Sequence, residues 1–300
     1  MLPAEEFEAR LPELAKSAAK VYTLTELPPA GNLKALLPLR EFADIAGAVA
    51  RLRMKKSEAE LALIRKATEV TMNAHRAAWR RLAGGLFEYQ LAAAASGVYF
   101  EAGCERHAYP PIVGSGPNAV VLHYNANSRR VDEGELVLMD IGAECAGYAS
   151  DITRTIPAGG KFSARQRELY EIVLGAQKAV IEAVKPGMTL ARSGPNSLHL
   201  IAVEYFNQHS KGPNGEALGK YFTHGIGHHV GLEVHDANDP ARTLEAGMVI
   251  TVEPGLYIPE EGIGIRIEDM VVVTENGAEV ISTALPKEAA EVERTLQKGG

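Results

Sequence analysis

Apolar residues recur at helical spacing in four stretches of the chain. The first opens at Ser57, which with Glu60 forms the signature of a reciprocal N-terminal cap. Its stripe of Leu61, Ile64 and Ala67 runs on towards Trp79 before Gly84-Gly85 stops it. The others run from about Phe87 to Ala102, from Ser163 to Val184 with Pro186-Gly187 beyond, and roughly from Ser197 to Gln208. Between and after them lie runs with strand character: "VVLHY", "ELVLMDIGA", "YASDITRTI", "MVITVEPGLYI", "GIRIEDMVVV" and "AEVIS". The "TENG" before the last is a hairpin turn signal. Helices mixed with largely antiparallel hairpins predict an α+β fold. Residues 1–50 offer only a short acidic helix, an apolar "VYTL" and a Pro-rich stretch reaching Pro38, too little for a core of their own. The main domain is therefore expected over residues 51–300.

A weak internal repeat changes this picture. In "EGELVLMDIG" Gly134 precedes an apolar strand ending in Asp140; in "AGMVITVEPG" Gly247 precedes a similar strand ending in Glu253, at the same interval. A further strand carrying an acid follows each, with Asp151 in "SDITRT" and Glu268 in "IRIED". Two hairpins with one carboxylate per strand predict an active site built on a pseudo-two-fold axis. Asp140 and Glu253 close strands of Leu, Val, Met and Ile, where an unpaired buried carboxylate costs several kcal/mol. Strand alternation turns Arg154 away from Asp151 and puts Arg266 on the face of Glu268. Two divalent cations would balance all four carboxylates.

"HGIGHHVGLEVHD", residues 224–236, holds four of the nine histidines. It is not the helical HExxH zinc motif, because no Glu follows His224 and its glycines disfavour a helix. As an extended segment it places His224, Ile226 and His228 on one face and turns His229 the other way. Four carboxylates and one imidazole form an oxygen-rich donor set that suits Mn²⁺, with Co²⁺, Zn²⁺ or Fe²⁺ as alternatives. Thiolates are absent from the set, which argues against structural zinc. A carboxylate-bridged metal pair can activate water and polarise a carbonyl, so hydrolysis is the natural reaction class.

Composition narrows the partners. At 46% hydrophobic and 23% charged residues the chain reads as a soluble globular protein. Its net charge of −7, with no basic cluster, argues against nucleic acid and anionic membranes. There is no apolar run long enough to span a bilayer, and "MLPAEEFEAR" lacks the pattern of a signal peptide. Cys104 and Cys145 are too few for a disulfide framework, which fits a reducing cytoplasm, and Cys145 reads as a packing residue.

Asp140, Asp151, His228, Glu253 and Glu268, in this order and spacing, resemble the five-ligand set of the pita-bread metallopeptidases. "HGIGHHVGLEVHD", "TVEPGLY" and "GIGIRIED" are similar to the aminopeptidase P and prolidase branch in particular, and the resemblance covers roughly residues 51–286. It implies a pita-bread fold in which His228 and Glu253 hold one metal, Asp140 the other, and Asp151 and Glu268 bridge the pair. It implies that His123, His224 and His235 line the pocket and stabilise the transition state, that Glu253 also relays a proton, and that Arg266 and Tyr257 order the ligands. His75, His107, His199 and His209 carry no motif and read as structural. The family further implies a homodimer or larger assembly, and an N-terminal domain of which residues 1–50 are a remnant or truncated end plus linker. The implied activity is release of the N-terminal residue from Xaa-Pro peptides. Alternatives are an Xaa-Pro dipeptidase (prolidase) and, more remotely, a non-catalytic pita-bread binding protein. Methionine aminopeptidases share the ligands but place an HExP-type segment where this chain has "GLEVHD".

Overall fold

The cap expected at Ser57 forms: its hydroxyl accepts from the Glu60 amide, and the Glu60 carboxylate accepts from the Ser57 N–H at 2.8 Å. In the computed structural model, which describes residues 3–26 and 29–297, this cap starts a 24-residue helix. The chain divides into two units, the first ending at Arg53 and the second beginning at Met54. The first unit contains α1 (Phe7–Leu14), β1 (Lys20–Thr23), α2 (Pro29–Leu36) and β2 (Glu41–Asp44), with β1 and β2 paired in parallel, and all but the last residue of α3 (Ala46–Met54).

In the second unit, α4 (Glu58–Arg81) buries Leu61, Ile64, Ala67, Thr71, His75 and Trp79, the stripe legible in the sequence. Next come α5 (Glu88–Glu101), β3 (Arg106–His107), β4 (Ile112–Ser115), β5 (Leu136–Ile141), β6 (Ala143–Cys145), β7 (Tyr148–Ala149) and β8 (Ile152–Pro157). Two helices capped by Ser163 and Ser197 follow, α6 (Ala164–Ala183) and α7 (Leu198–His209). The chain closes with β9 (Val249–Val252), β10 (Gly255–Ile258), β11 (Ile263–Arg266), β12 (Asp269–Val273), β13 (Ala278–Val280) and α8 (Ala289–Gln297).

Two three-stranded antiparallel sheets carry the repeat, in the orders β4-β5-β8 and β13-β12-β9, and β10 pairs with β11 as a hairpin. The register sets Asp140 opposite Thr153 and Val252 opposite Asp269. Glu253 and Glu268 therefore fall in the breaks between β9 and β10 and between β11 and β12, while Asp151 immediately precedes β8. Cross-links join the halves: the Glu268 amide donates to Thr153 O at 3.1 Å, and Thr155 Oγ1 donates to Arg266 O at 3.0 Å. Behind these strands lies one continuous core that includes Met139, Ile152, Ile156, Val173, Ile250 and Met270, all fully buried. Each such side chain contributes roughly 1.5–3 kcal/mol.

Arg154 turns away from Asp151, as alternation requires, into a buried pair with Asp269, whose carboxylate also accepts from Lys287 and Ser282. Burial opposes the charge on Asp269, but Arg154 and Lys287 outweigh it and hold the acid well below its usual range.

Two expectations are corrected. "VVLHY" is not a strand; it follows a 3₁₀ turn over Gly116–Val120 and continues irregularly. β4 already occupies the edge of β5, and Asn127 Oδ1 accepts the outward Val113 N–H at 2.9 Å, so no ladder remains for another strand. Cys145 is not an isolated packing residue either. Pairing of Arg106 with Glu144 brings Cys104 to a Cα–Cα separation of 4.3 Å from Cys145, and the two form a disulfide.

Candidate metal centre and active site

The histidine segment is positioned by β9. The Glu253 amide donates to Ile226 O at 3.0 Å, Thr251 to His228 O at 2.9 Å, and Val230 to Val249 O at 3.0 Å. Residues 226–230 thus run antiparallel beside the strand that leads to Glu253, which explains why His228 and Glu253 meet. Only glycine permits this approach at 227, since a Cβ there would collide with the Thr251 carbonyl. His224 and His228 both line a cavity of about 510 Å³. Ile226, expected on their face, packs in the core instead and does not line the cavity. His229 is buried on the other side, its backbone bridged to Ile250.

The same cavity is lined by Asp140, Asp151, Glu253 and Glu268, by Arg266, and by His123 and His235 near its mouth. Ligand atoms of Asp151, His228 and Glu268 all lie within 4.8 Å of one another, forming a candidate metal site. His228 Nε2 is 3.3 Å from Asp151 Oδ2 and 3.5 Å from Glu253 Oε1. Asp140 lies in the cavity but outside that tight group, held by Arg266 Nη2 at 2.5 Å. Arg266 shares the cavity face with Glu268, as alternation predicts, and its ion pair is with Asp140. The guanidinium also donates from Nη1 to Tyr257 OH at 2.7 Å and from Nε to Thr153 Oγ1 at 3.0 Å.

Crowded carboxylates in a buried cavity resist ionisation. Burial raises Glu253 to about 7. Burial and the neighbouring acids push Asp151 up and Glu268 well above its usual range. Burial works against protonation of His228, but Asp151 and Glu253 outweigh it and raise the imidazole to about 9. His224 moves the other way, to about 3, through burial and the charge of Arg266. Its ring nitrogens contact Gly225 O and Tyr257 OH, both at 2.8 Å. His228 and His235 meet edge to face with centroids 4.2 Å apart.

Three polar residues in this site were not foreseen. Tyr109 OH lies 2.5 Å from both Asp140 Oδ1 and Asp151 Oδ1. Thr153 Oγ1 donates to Glu268 Oε2 at 2.5 Å, and Thr251 Oγ1 to Glu253 Oε1 at 3.1 Å. The threonines sit two residues from Asp151 and Glu253, a spacing that could have revealed them. Tyr109, in "YPP", gives no such signal. His75, His107, His199 and His209 do not line the cavity. His199 stacks on Phe222, which packs edge-on against His224.

Four carboxylates face one guanidinium among the described lining residues, so the donor set fits cations well. Convergent carboxylates and an imidazole, without thiolates, define a metal-dependent hydrolase site. The chain belongs to metallopeptidase family M24, whose model matches residues 62–275, and falls in its Xaa-Pro aminopeptidase and dipeptidase branch. It is 37% identical to the Xaa-Pro aminopeptidase of Haemophilus influenzae over 97% of its own length and 73% of that protein. It is 40% identical to the Xaa-Pro dipeptidase of Pyrococcus furiosus, over 82% of this chain and 68% of that one. The zinc-substituted E. coli aminopeptidase P with bound product superposes with a TM-score of 0.90 at 33% identity, covering 100% of this chain and 75% of that one. The α+β architecture is thus the pita-bread fold of the aminopeptidase P catalytic region. No helix among the described residues is long and apolar enough to cross a membrane.

Proposed function

We propose that this protein releases the N-terminal residue from peptides whose second residue is proline, using two divalent metal ions held by Asp140, Asp151, His228, Glu253 and Glu268. The observation that carries this reading is the convergence of Asp151, His228 and Glu268 on one point of a cavity that the other two acids also line. With Arg266 counted, the four carboxylates leave three negative charges. Two divalent ions exceed these by one, leaving a positive charge for an anionic partner; Mn²⁺ suits the oxygen-rich set best. Bound there, the metals would supply a water of lowered pKa and polarisation of the scissile carbonyl.

The chain's own groups do the rest. A proline at the second position has no N–H and a fixed φ, so recognition falls to the cavity walls rather than to strand-like pairing. His224 is kept neutral and fixed by Tyr257, which offers a rigid wall beside Glu253, 3.5 Å from its Nδ1. Glu253 is the group assigned to carry the proton from the attacking water to the departing proline nitrogen, which is a poor leaving group unless protonated. His123 and His235 stand near the cavity mouth, where they can contact the peptide beyond the scissile bond.

Aminopeptidase is preferred to dipeptidase because "VLHYN", "GYASDITRTIPAGGKFSARQRELYEIVL" and "YFTHGIGHHVG" resemble aminopeptidase P somewhat more closely. The family resemblance also supports an assembly of at least two copies. Digestion of Xaa-Pro-Yaa, Xaa-Ala-Yaa and Xaa-Pro peptides with added Mn²⁺, products identified by mass, tests the reading. Preferential release of Xaa from Xaa-Pro-Yaa is expected. Faster cleavage of the alanine series rejects proline selectivity, and cleavage of dipeptides alone moves the assignment to the dipeptidase.

A further inference from the structure

Outside the cavity lies a fully enclosed ion pair, Lys56 Nζ to Asp236 Oδ2 at 3.0 Å, with both side chains 1% exposed. The residues are 180 positions apart, and Asp236 directly follows His235. Burying two charges carries a desolvation cost that is offset only where the pairing and hydrogen-bond geometry are good. Here the pair sits at the base of the histidine segment. The Asp236 amide donates to His229 O at 2.9 Å, and that carbonyl lies 3.1 Å from His228 Nδ1. A carbonyl partner for Nδ1 fixes the tautomer that leaves Nε2 free to face Asp151 and Glu253. Gly231 gives the pair room, since a Cβ there would collide with Asp236 Oδ2, and its carbonyl accepts from Ala149 at 2.9 Å, two residues before Asp151. The Lys56 amide in turn donates to Gly247 O at 2.9 Å, next to the start of β9.

We infer that Lys56 is a positioning residue for the metal centre: its ammonium fixes Asp236, whose amide holds the His229 carbonyl against His228 Nδ1 and so aims the imidazole at the metal. This rests on the reading of His228 as a ligand. Groups that orient a metal-binding histidine typically change metal affinity ten- to hundredfold when removed.

The test measures Mn²⁺ affinity by competition with a chelating dye, beside thermal melting, without any peptide. Lys56→Met should weaken Mn²⁺ binding roughly ten- to hundredfold, with Lys56→Arg closer to wild type than Lys56→Met. A core variant, Val292→Ala in α8, provides a comparison destabilised elsewhere and should keep wild-type affinity. If Lys56→Met does not fold, Asp236→Asn is read in the same way. Wild-type affinity in the folded variant, or an equal loss in Val292→Ala, overturns the inference. His228→Ala separates the two claims: unchanged affinity there removes the ligand assignment itself. Loss there with none in Lys56→Met removes only the positioning role.

Discussion

Arg266 Nη2 lies 2.5 Å from Asp140 Oδ2, and the two side chains are almost wholly buried. This ion pair supplies a permanent positive charge to the acid cluster before any metal arrives. Arg266→Met should leave Asp140 among like charges without its partner, costing roughly 3–5 kcal/mol in chelator-treated protein. Added Mn²⁺ should recover part of the loss. Thermal melts with and without metal check this; equal melting of variant and wild type in chelator would contradict it.

Tyr109→Phe keeps the half-buried ring and removes the hydroxyl shared by Asp140 and Asp151. The fold should survive, and Mn²⁺ affinity should fall about tenfold as the two carboxylates lose their common tether. Calorimetric titration measures it. An unchanged affinity would show that the phenol only fills space.

Metal removal should make stability depend on pH between about 7 and 9. In the folded, metal-free protein His228 is raised to about 9 from an ordinary 6.5. Its contribution is fully present below pH 6.5 and is lost as pH rises through 9. Glu253, raised to about 7, acts in the same direction at the lower end, because its ionisation costs more inside the fold than outside. His75 and His224, depressed to about 3, are neutral in both states over this window and drop out. The Tm of chelated protein should therefore fall from pH 7 to pH 9, while stabilisation by Mn²⁺ grows as its ligands deprotonate. A chelated Tm that rises across the window would refute the assignment.

The Cys104–Cys145 bond closes a 41-residue separation next to the hairpin between Asp140 and Asp151. Chain entropy alone assigns such a loop about 4 kcal/mol. Unfolding in the presence of a dithiol reductant, or Cys104→Ser, should lower Tm by several degrees. Identical melting of oxidised and reduced protein would show that the bridge contributes nothing.

The helices were legible because caps at Ser57, Ser163 and Ser197 coincide with apolar stripes, so local and tertiary preferences agree. The acids were legible because Asp140 and Glu253 interrupt apolar strands at equal distances from a glycine. What escaped depends on contacts distant in sequence. The pairing of Arg266 with Asp140 was not legible, because alternation gives a face but not which acid across the cavity is nearest. Tyr109 reaches its acids from a segment without regular periodicity. The disulfide arises from β3–β6 pairing, and two cysteines 41 apart carry no register information.

Anomalous diffraction at the manganese edge, from crystals of active enzyme soaked in Mn²⁺, tests the central claim most directly. Two peaks are expected in the cavity, each within about 2.2 Å of both the Asp151 and Glu268 carboxylates. Asp140 should complete one site, and His228 with Glu253 the other. A single peak in fully active enzyme, or peaks away from Asp151 and Glu268, would contradict the account.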